Sequence, residues 1–486
     1  MVASDVIRDW FSHTADLIVE HVDEQEGRVR IYFLSSMADN KVVYTKVLPE
    51  LRQLDLQNAT ISEVENRLGV PASQRISRQE QVINQLLKGA IYIHVSGAPY
   101  GLAIPASGVA TRNLQRPEIE TNVLGPQVAF VEDLDMNLSI IRKYLASPQL
   151  FHEQLWVGKS VPQEVAILYM EGTANPEHVQ TIRQRIQDLE VDGLVEVNIL
   201  AQYIADNEIT VFPTLLQTER PDRVSSALRK GQVAILMQGS PFVLLGPTAL
   251  IHFFESPDDY YFRWSIATFN RVLRVSAMIA SLLFTPLYVA ALTFHYEMIP
   301  ADLLLSLAQS RARVPFPPLF EALMMEIIIE LLREAGARLP TKVGQTIGIV
   351  GGIVIGQASV QAGFTSNILI IIVALGALSS FIAPSYVIGS TIRVIRFPII
   401  LMAGLLGLIG IMMAVSFLIS HLLRLTSLGR PYLSPLYPVR LIDWKNSFIR
   451  APFAFLAKRL EFFQNGKPYR YNKQRARQIH NFDEDE

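Results

Sequence analysis

Cysteine is absent from all 486 residues, which excludes a disulfide framework, thiol catalysis and thiolate metal sites and suits a reducing compartment. Charge is scarce: Asp, Glu, Lys and Arg make up 18% against 50% hydrophobic residues, with a mean hydropathy of +0.26. That balance is too apolar for an average soluble enzyme. No phosphate-loop pattern, no GxGxxG after a strand, no GxSxG elbow and no HExxH occurs, so the chain lacks the usual signatures of enzyme chemistry. Asp133, Asp135 and Asn137 imitate the start of a calcium loop, yet Leu138 stands where that loop needs glycine and Tyr144 where it needs a bidentate Glu. His152 beside Glu153 has no second histidine and reads as a solvated polar pair. No cofactor, no metal and no nucleic acid is expected.

The charges that are present are unevenly spread. Residues 1–270 hold 22 Lys and Arg against 33 Asp and Glu, a net of −11; 271–423 hold 9 against 6, and 424–486 hold 12 against 6. From Val343 to Ile392 fifty residues pass without Asp, Glu, Lys or Arg, and from Phe397 to Leu423 another twenty-seven. Roughly 20 apolar residues cross the hydrocarbon core of a bilayer. The spacing therefore predicts four spans, about 275–296, 343–362, 366–390 and 397–422, with a break at the polar patch Gln361, Thr365, Ser366, Asn367. The first thirty residues are acidic and hold no apolar signal region, and the tail after Leu423 is basic. Both ends are expected in the cytoplasm, which requires an even number of spans. Arg393 and Arg396 then fall on the outer side, against the positive-inside tendency.

The front half repeats itself. QEQVINQLLKGAIYIHVSGAPYGLAIPA at 79–106 and PDRVSSALRKGQVAILMQGSPFVLLGPT at 221–248 align at an offset of 142 residues, matching Lys88 with Lys230, Gly89 with Gly231, Gly97 with Gly239 and Pro99 with Pro241. Each copy reads as a helix closed by Lys-Gly, then two strands around a Gly-x-Pro turn, with a further apolar strand ahead of it. The expected fold class is an α+β membrane protein. Two tandem cytoplasmic α/β subdomains, 1–140 and 141–270, precede a transmembrane helical domain at 271–423 and a basic cytoplasmic tail at 424–486.

Two features of the apolar half carry candidate function. Gly344, Gly348, Gly352 and Gly356 form overlapping GxxxG steps on one helix face, where another backbone can approach closely, in this chain or in a second copy. Ahead of them, 319–336 reads LFEALMMEIIIELLREAG. At 100° per residue Glu326, Glu330, Arg333 and Glu334 share one arc, opposite Phe320, Leu323, Met324, Ile327, Ile328, Leu331 and Leu332. An ionised residue at the bilayer centre costs about 2.5–3.5 kcal/mol on insertion scales. The stripe thus faces water in an oligomeric pore or cavity, or the helix lies flat in the interface. Pro315, Pro317 and Pro318 before it and Pro340 after it isolate it as a unit that could hinge.

These stretches resemble the A-subunit family of GerA-type spore nutrient germination receptors. The resemblance is carried by RNLQRPEIETNVLGPQVAFVEDLDMNLSIIRK with Arg112, Pro117, Glu118, Glu120, Gly125, Pro126, Phe130, Glu132, Asn137 and Arg142, by SPDDYYFRW at 256–264, by HYEMIP with Glu297 and Pro300, by VPFPPLFEALMMEIIIELLREAGARLP, by Gly344, Gln345 and IVGGIVIGQA, and by PYLSP and DWKNSFIRAP. It departs from the family at FLSSMADN, 33–40, which lacks an Asp-Gly turn, and at Lys143, where a second arginine is usual. The resemblance implies a multi-pass subunit of a spore inner-membrane germinant receptor, acting with a permease-like B subunit and a lipoprotein C subunit. It also implies an oligomeric cation channel opened by germinant. The rival reading is a non-conducting scaffold or signal-transducing subunit.

Overall fold

The computed structural model describes residues 7, 9–11, 14–22, 28–54, 60–69, 73–108, 116–339, 341–463 and 466–471, with the backbone alone for 341–350, 442 and 454. Ten strands build two separate antiparallel sheets. β1 (Leu17–His21), β2 (Val29–Leu34), β3 (Gln74–Ile76), β4 (Ala90–Val95) and β5 (Gly101–Pro105) lie in the order β1-β2-β4-β5-β3. β6 (Leu150–Val157), β7 (Gln163–Met170), β8 (Leu216–Thr218), β9 (Val233–Met237) and β10 (Val243–Gly246) lie in the order β6-β7-β9-β10-β8. The offset of 142 residues lays β3, β4 and β5 on β8, β9 and β10.

Helices cover both faces of each sheet. The helices of the second unit include α2 (Leu134–Tyr144), α3 (Pro176–Gln187) and α4 (Pro221–Lys230), and the first unit has α1 (Gln79–Leu86) in the place of α4. Side chains alternate along a strand. Ala166, Leu168, Ala234 and Leu236 pack toward α2 and α4, and Val165, Ile167, Val233 and Ile235 toward Val179, Ile182 and Ile186 of α3. A sheet covered twice needs apolar residues on both faces, which is why VAILY and VAILM run without a polar break. Gly231 closes α4 in the left-handed region at φ +96°, and Gly89 takes φ +84° at the corresponding point.

The second unit begins well before residue 140. Phe130, Leu134, Leu138 and Ile141 belong to its core, so a boundary at 140 would cut α2 in two. The two units are clasped by Arg142 of α2. Its guanidinium donates to both carboxylate oxygens of Asp16, at 2.8 and 3.1 Å, and the hydroxyls of Thr14 and Ser36 donate to the same carboxylate. Burial pushes the Asp16 carboxyl up, but Arg142, then His152 and the two hydroxyls, hold it down at about 2. His152 is not solvated: it is buried against this clasp, and neither ring nitrogen has a hydrogen-bond partner among the described residues. Burial lowers its pKa.

The helical layer follows, built of α5 (Trp264–Thr293), α6 (Ala301–Arg311), α7 (Pro318–Arg338), α8 (Thr341–Gln361), α9 (Asn367–Phe381) and α10 (Tyr386–Arg424). α5 and α10 are long and apolar enough to cross a membrane. α5 begins eleven residues ahead of the expected 275, and the arginines of its first turns are satisfied: Arg271 and Arg274 both pair with Asp259, at 2.8 and 2.6 Å. The expected span 366–390 ends at Phe381, since Pro384 disfavours helix at the residue before it, and a new helix starts at Tyr386.

The expected span 397–422 is a hairpin instead. Gly407 leaves the helical region, with φ 63° and ψ −139°, and Gly410 comes up against the carbonyl of Met402. On a straight helix residues 391 and 421 would stand about 45 Å apart. Here Thr391 donates to the Val211 carbonyl at 2.8 Å and His421 Nε2 lies 2.9 Å from Thr210 Oγ1, so both arms end on one loop of the second unit. The turn sits beside Phe294 and His295, just past the far end of α5. The chain after Arg424 folds back over the second unit: Leu425, Tyr432, Leu460, Phe462 and Phe463 join its core, and Asp206 accepts from the amides of Leu428 and Gly429.

Candidate functional site

α7 runs the depth of the helical layer. Leu319, at its start, lies where a side chain on Gly404 would project near the hairpin turn, and Arg333 stacks on Phe381 with its Cζ 4.8 Å from the ring centroid, near the other end. Pro317 and Pro318 fix its first turn, where missing N–H groups are harmless, and Phe316 stacks on Phe364 with ring centroids 6.1 Å apart. Pro315 lies in the connection that leads into it, and Pro340 lies outside the described residues.

Its polarity is turned inward. Phe320, Ile327 and Leu331 remain 63%, 49% and 64% exposed, while Glu321, Ala322, Met325 and Glu326 are buried. Each buried acid meets its own partners from neighbouring helices. Glu321 accepts from the Ser366 amide at 2.6 Å and from Thr365 Oγ1 at 3.1 Å, with Arg311 Nη2 3.5 Å away. Glu326 pairs with Arg396 Nη2 at 2.7 Å and accepts from Thr285 Oγ1 at 2.7 Å. Glu330 lies between Arg333, at 2.8 Å, and Arg393, at 3.4 Å. Glu334 pairs with Arg338 on the outer rim.

The acidic stripe thus divides. Glu326 is 1% exposed and enclosed by its own chain, whereas Glu330 and Glu334 keep open surface. Sequence reasoning set Arg393 and Arg396 on the outer side and missed their role as partners of Glu330 and Glu326, close to Thr391, which bonds the second soluble unit. The signal was there, since two arginines three apart on a helix, between runs of 50 and 27 residues without a charged side chain, must find carboxylates or leave the layer. Of the two partners left open for the glycine face, one in this chain and one in a second copy, the first is not met at its described end. A Cβ on Gly351 would meet Leu332 Cδ2 at 3.0 Å, so that side of α8 packs on α7. On Gly352 or Gly356 it would meet nothing within 4 Å, so this face is open in the single chain. The side-chain surroundings of Gly344 and Gly348 lie outside the described residues.

Several residues of the soluble pattern hold the second unit together. Glu120 pairs with Arg223 at 2.7 Å, Arg220 donates to the carbonyls of Glu120 and Pro126, and Asn137 bonds both the amide and the carbonyl of Val131. Buried polar groups need such partners, and this network supplies them.

Residues 5–462 match the profile of the family described as Bacillus/Clostridium GerA spore germination protein. Spore germination protein GerQA of Bacillus cereus is 46% identical over 94% of this chain and 91% of its own length. Spore germination protein A1 of Bacillus subtilis (strain 168) is 39% identical over 87% of each chain. Among solved structures, the N-terminal domain of the A subunit of the Bacillus megaterium spore germinant receptor GerK3 is similar at 22% identity and a TM-score of 0.38, covering 50% of this chain and 92% of that one.

Proposed function

The chain belongs to the GerA family of spore germination proteins, the A subunits of germinant receptors, and from that premise we propose that it spans the spore inner membrane and forms an oligomeric cation path opened by nutrient. The soluble units and the tail lie on the cytoplasmic, spore-core side. A permease-like B subunit takes the nutrient and a lipoprotein C subunit completes the receptor. The observation that carries this reading is α7: a helix with lipid-like side chains outside and a ladder of acids inside is built for an apolar surround and a polar interior. Rings of carboxylates concentrate cations and repel anions. The open Gly352–Gly356 face of α8 is where a second copy would pack, bringing the partly exposed Glu330 and Glu334 of several copies together. On this reading, the arrangement with Glu326 held by Arg396 and Glu330 by Arg393 is the closed one. Displacing α7 along α10 by about one helical turn would free the acids.

A second reading has its own support. Because Glu326 is neutralised and enclosed within one chain, the ladder also serves as packing in a non-conducting scaffold that relays the signal to other subunits. One experiment separates the two. The receptor with its partner subunits is reconstituted in vesicles and nutrient-triggered potassium flux is measured for wild type and Glu330→Gln, with assembly checked by co-purification. Reduced flux or cation preference in an assembled receptor supports the path. Wild-type flux and preference assign the ladder to packing.

A further inference from the structure

A second polar feature lies in the soluble half, away from the acidic ladder. The cavity holds about 510 Å³ and is bordered by α4 from Asp222 to Lys230, by the segment 252–261 and by the tail. Five cationic side chains line it: Arg223, Arg229 and Lys230 from α4, and Arg459 and Arg470 from the tail. Two carboxylates share the wall, and both are taken. Asp222 pairs with Arg220 at 2.8 Å and Glu255 with Lys230 at 3.3 Å, while Arg223 is held by Glu120.

That leaves three arginines with no carboxylate among the described residues. Arg229 donates from Nε to the Ser225 carbonyl, and Arg459 only to the carbonyls of Arg229, Lys467 and Tyr469. Arg470 Nε is buried with no acceptor. Basic residues at the end of α4 are ordinary, because a helix C-terminus attracts cations. The two tail arginines have no such reason, and they add charge where like charge already stands.

We propose that this cavity is a binding site for a small organic anion carrying at least two oxyanion charges, of the phosphate or polycarboxylate class. Guanidinium forks match such oxygens in pairs. The rings of Tyr260 and Tyr261 form an uncharged wall for the body of the ligand. Since α4, the start of the helical layer and the tail all contribute, the occupied cavity joins the three parts that meet at the base of α5.

The test uses the full chain in detergent micelles at low ionic strength, with pyrophosphate as the probe and binding read by calorimetry. Wild type should bind saturably at one site. Arg470→Gln should weaken binding roughly tenfold, the loss expected from one charge-assisted contact. It should leave the melting temperature unchanged, because Arg470 Nε bonds nothing that holds the fold. Arg470→Lys should bind within about threefold of wild type, and Arg75→Gln, at an exposed pair with Glu65 in the first unit, should have no effect. Absence of saturable binding in wild type overturns the proposal, and so does an Arg470→Gln variant with wild-type affinity. Binding that emerges only after Asp483, Glu484, Asp485 and Glu486 are neutralised also overturns it, assigning the cavity to the chain's own acidic end.

Discussion

Replacing Glu326 with Gln leaves Arg396 charged inside the helical layer. The two groups are 2.7 Å apart and all but unexposed, and Arg396 Nε and Nη1 have no other acceptor among the described residues. Opposite charges about 4 Å apart attract by about 4 kcal/mol at an effective dielectric of about 20. Breaking one side of such a pair costs about 3–5 kcal/mol, because the charge left behind has lost its partner and cannot reach water. The Thr285 hydroxyl still finds an acceptor in the amide, so the loss belongs to the charge rather than to the hydrogen bond. Purified chain in detergent, melted with tryptophan fluorescence and size-exclusion as readouts, should unfold about 10 °C lower in Glu326→Gln. The double variant Glu326→Leu with Arg396→Met removes both charges and should recover to within about 1 kcal/mol of wild type. A single variant that melts within about 2 °C of wild type would refute the reasoning, as would a double variant whose loss equals the sum of the two singles.

Asp16 is held down at about 2, below its usual 3.8, so its pairing with Arg142 stabilises the fold fully above pH 4 and loses that contribution as the pH falls from 4 toward 2. The amount is about 2 kcal/mol, and Asp16→Asn should abolish this part of the pH dependence of melting. Gly352→Leu should leave the single chain as stable as wild type and reduce cross-linked oligomer, whereas Gly351→Leu should destabilise the chain itself through Leu332; equal behaviour of the two in both assays would show that neither face is special. Gly407→Ala places a side chain at φ 63°, with its Cβ 2.8 Å from His295 Nε2, and should cost about 2–3 kcal/mol in the same melting assay.

How far the sequence could be read depended on whether the deciding contact was local. The duplicated half was legible because helix-closing glycines, Gly-x-Pro turns and two-sided strands leave their mark on neighbouring residues, and the same marks recur after 142 positions. The inward acidic face of α7 was legible as an arc but not as a set of partners. The arc fixes direction, while Thr285, Arg393 and Arg396 arrive from positions 41 to 70 residues away. The hairpin in α10 left almost nothing to read. GLLGLIG looks like any apolar span, and only tertiary packing decides that Gly407 turns the chain while Gly404 and Gly410 do not. The start of α5 was hidden for a similar reason, since nothing local shows that Arg271 and Arg274 are both paired with Asp259.

The loop 206–214 of the second unit receives both arms of α10 and the chain that follows it. Asp206 holds the amides after α10, Thr210 meets the returning arm, the Val211 carbonyl takes the outgoing arm, and the carbonyls of Pro213 and Thr214 accept from Tyr432 and Ser427. Mechanically this is a pivot with two long levers fixed to it. Each arm of the hairpin is about 25–30 Å long, so a tilt of about 5° at the loop carries Gly407 sideways by about 2–3 Å. That is most of a hydrogen-bond length, gathered at the end farthest from the soluble half, while the bonds at the pivot itself hardly stretch.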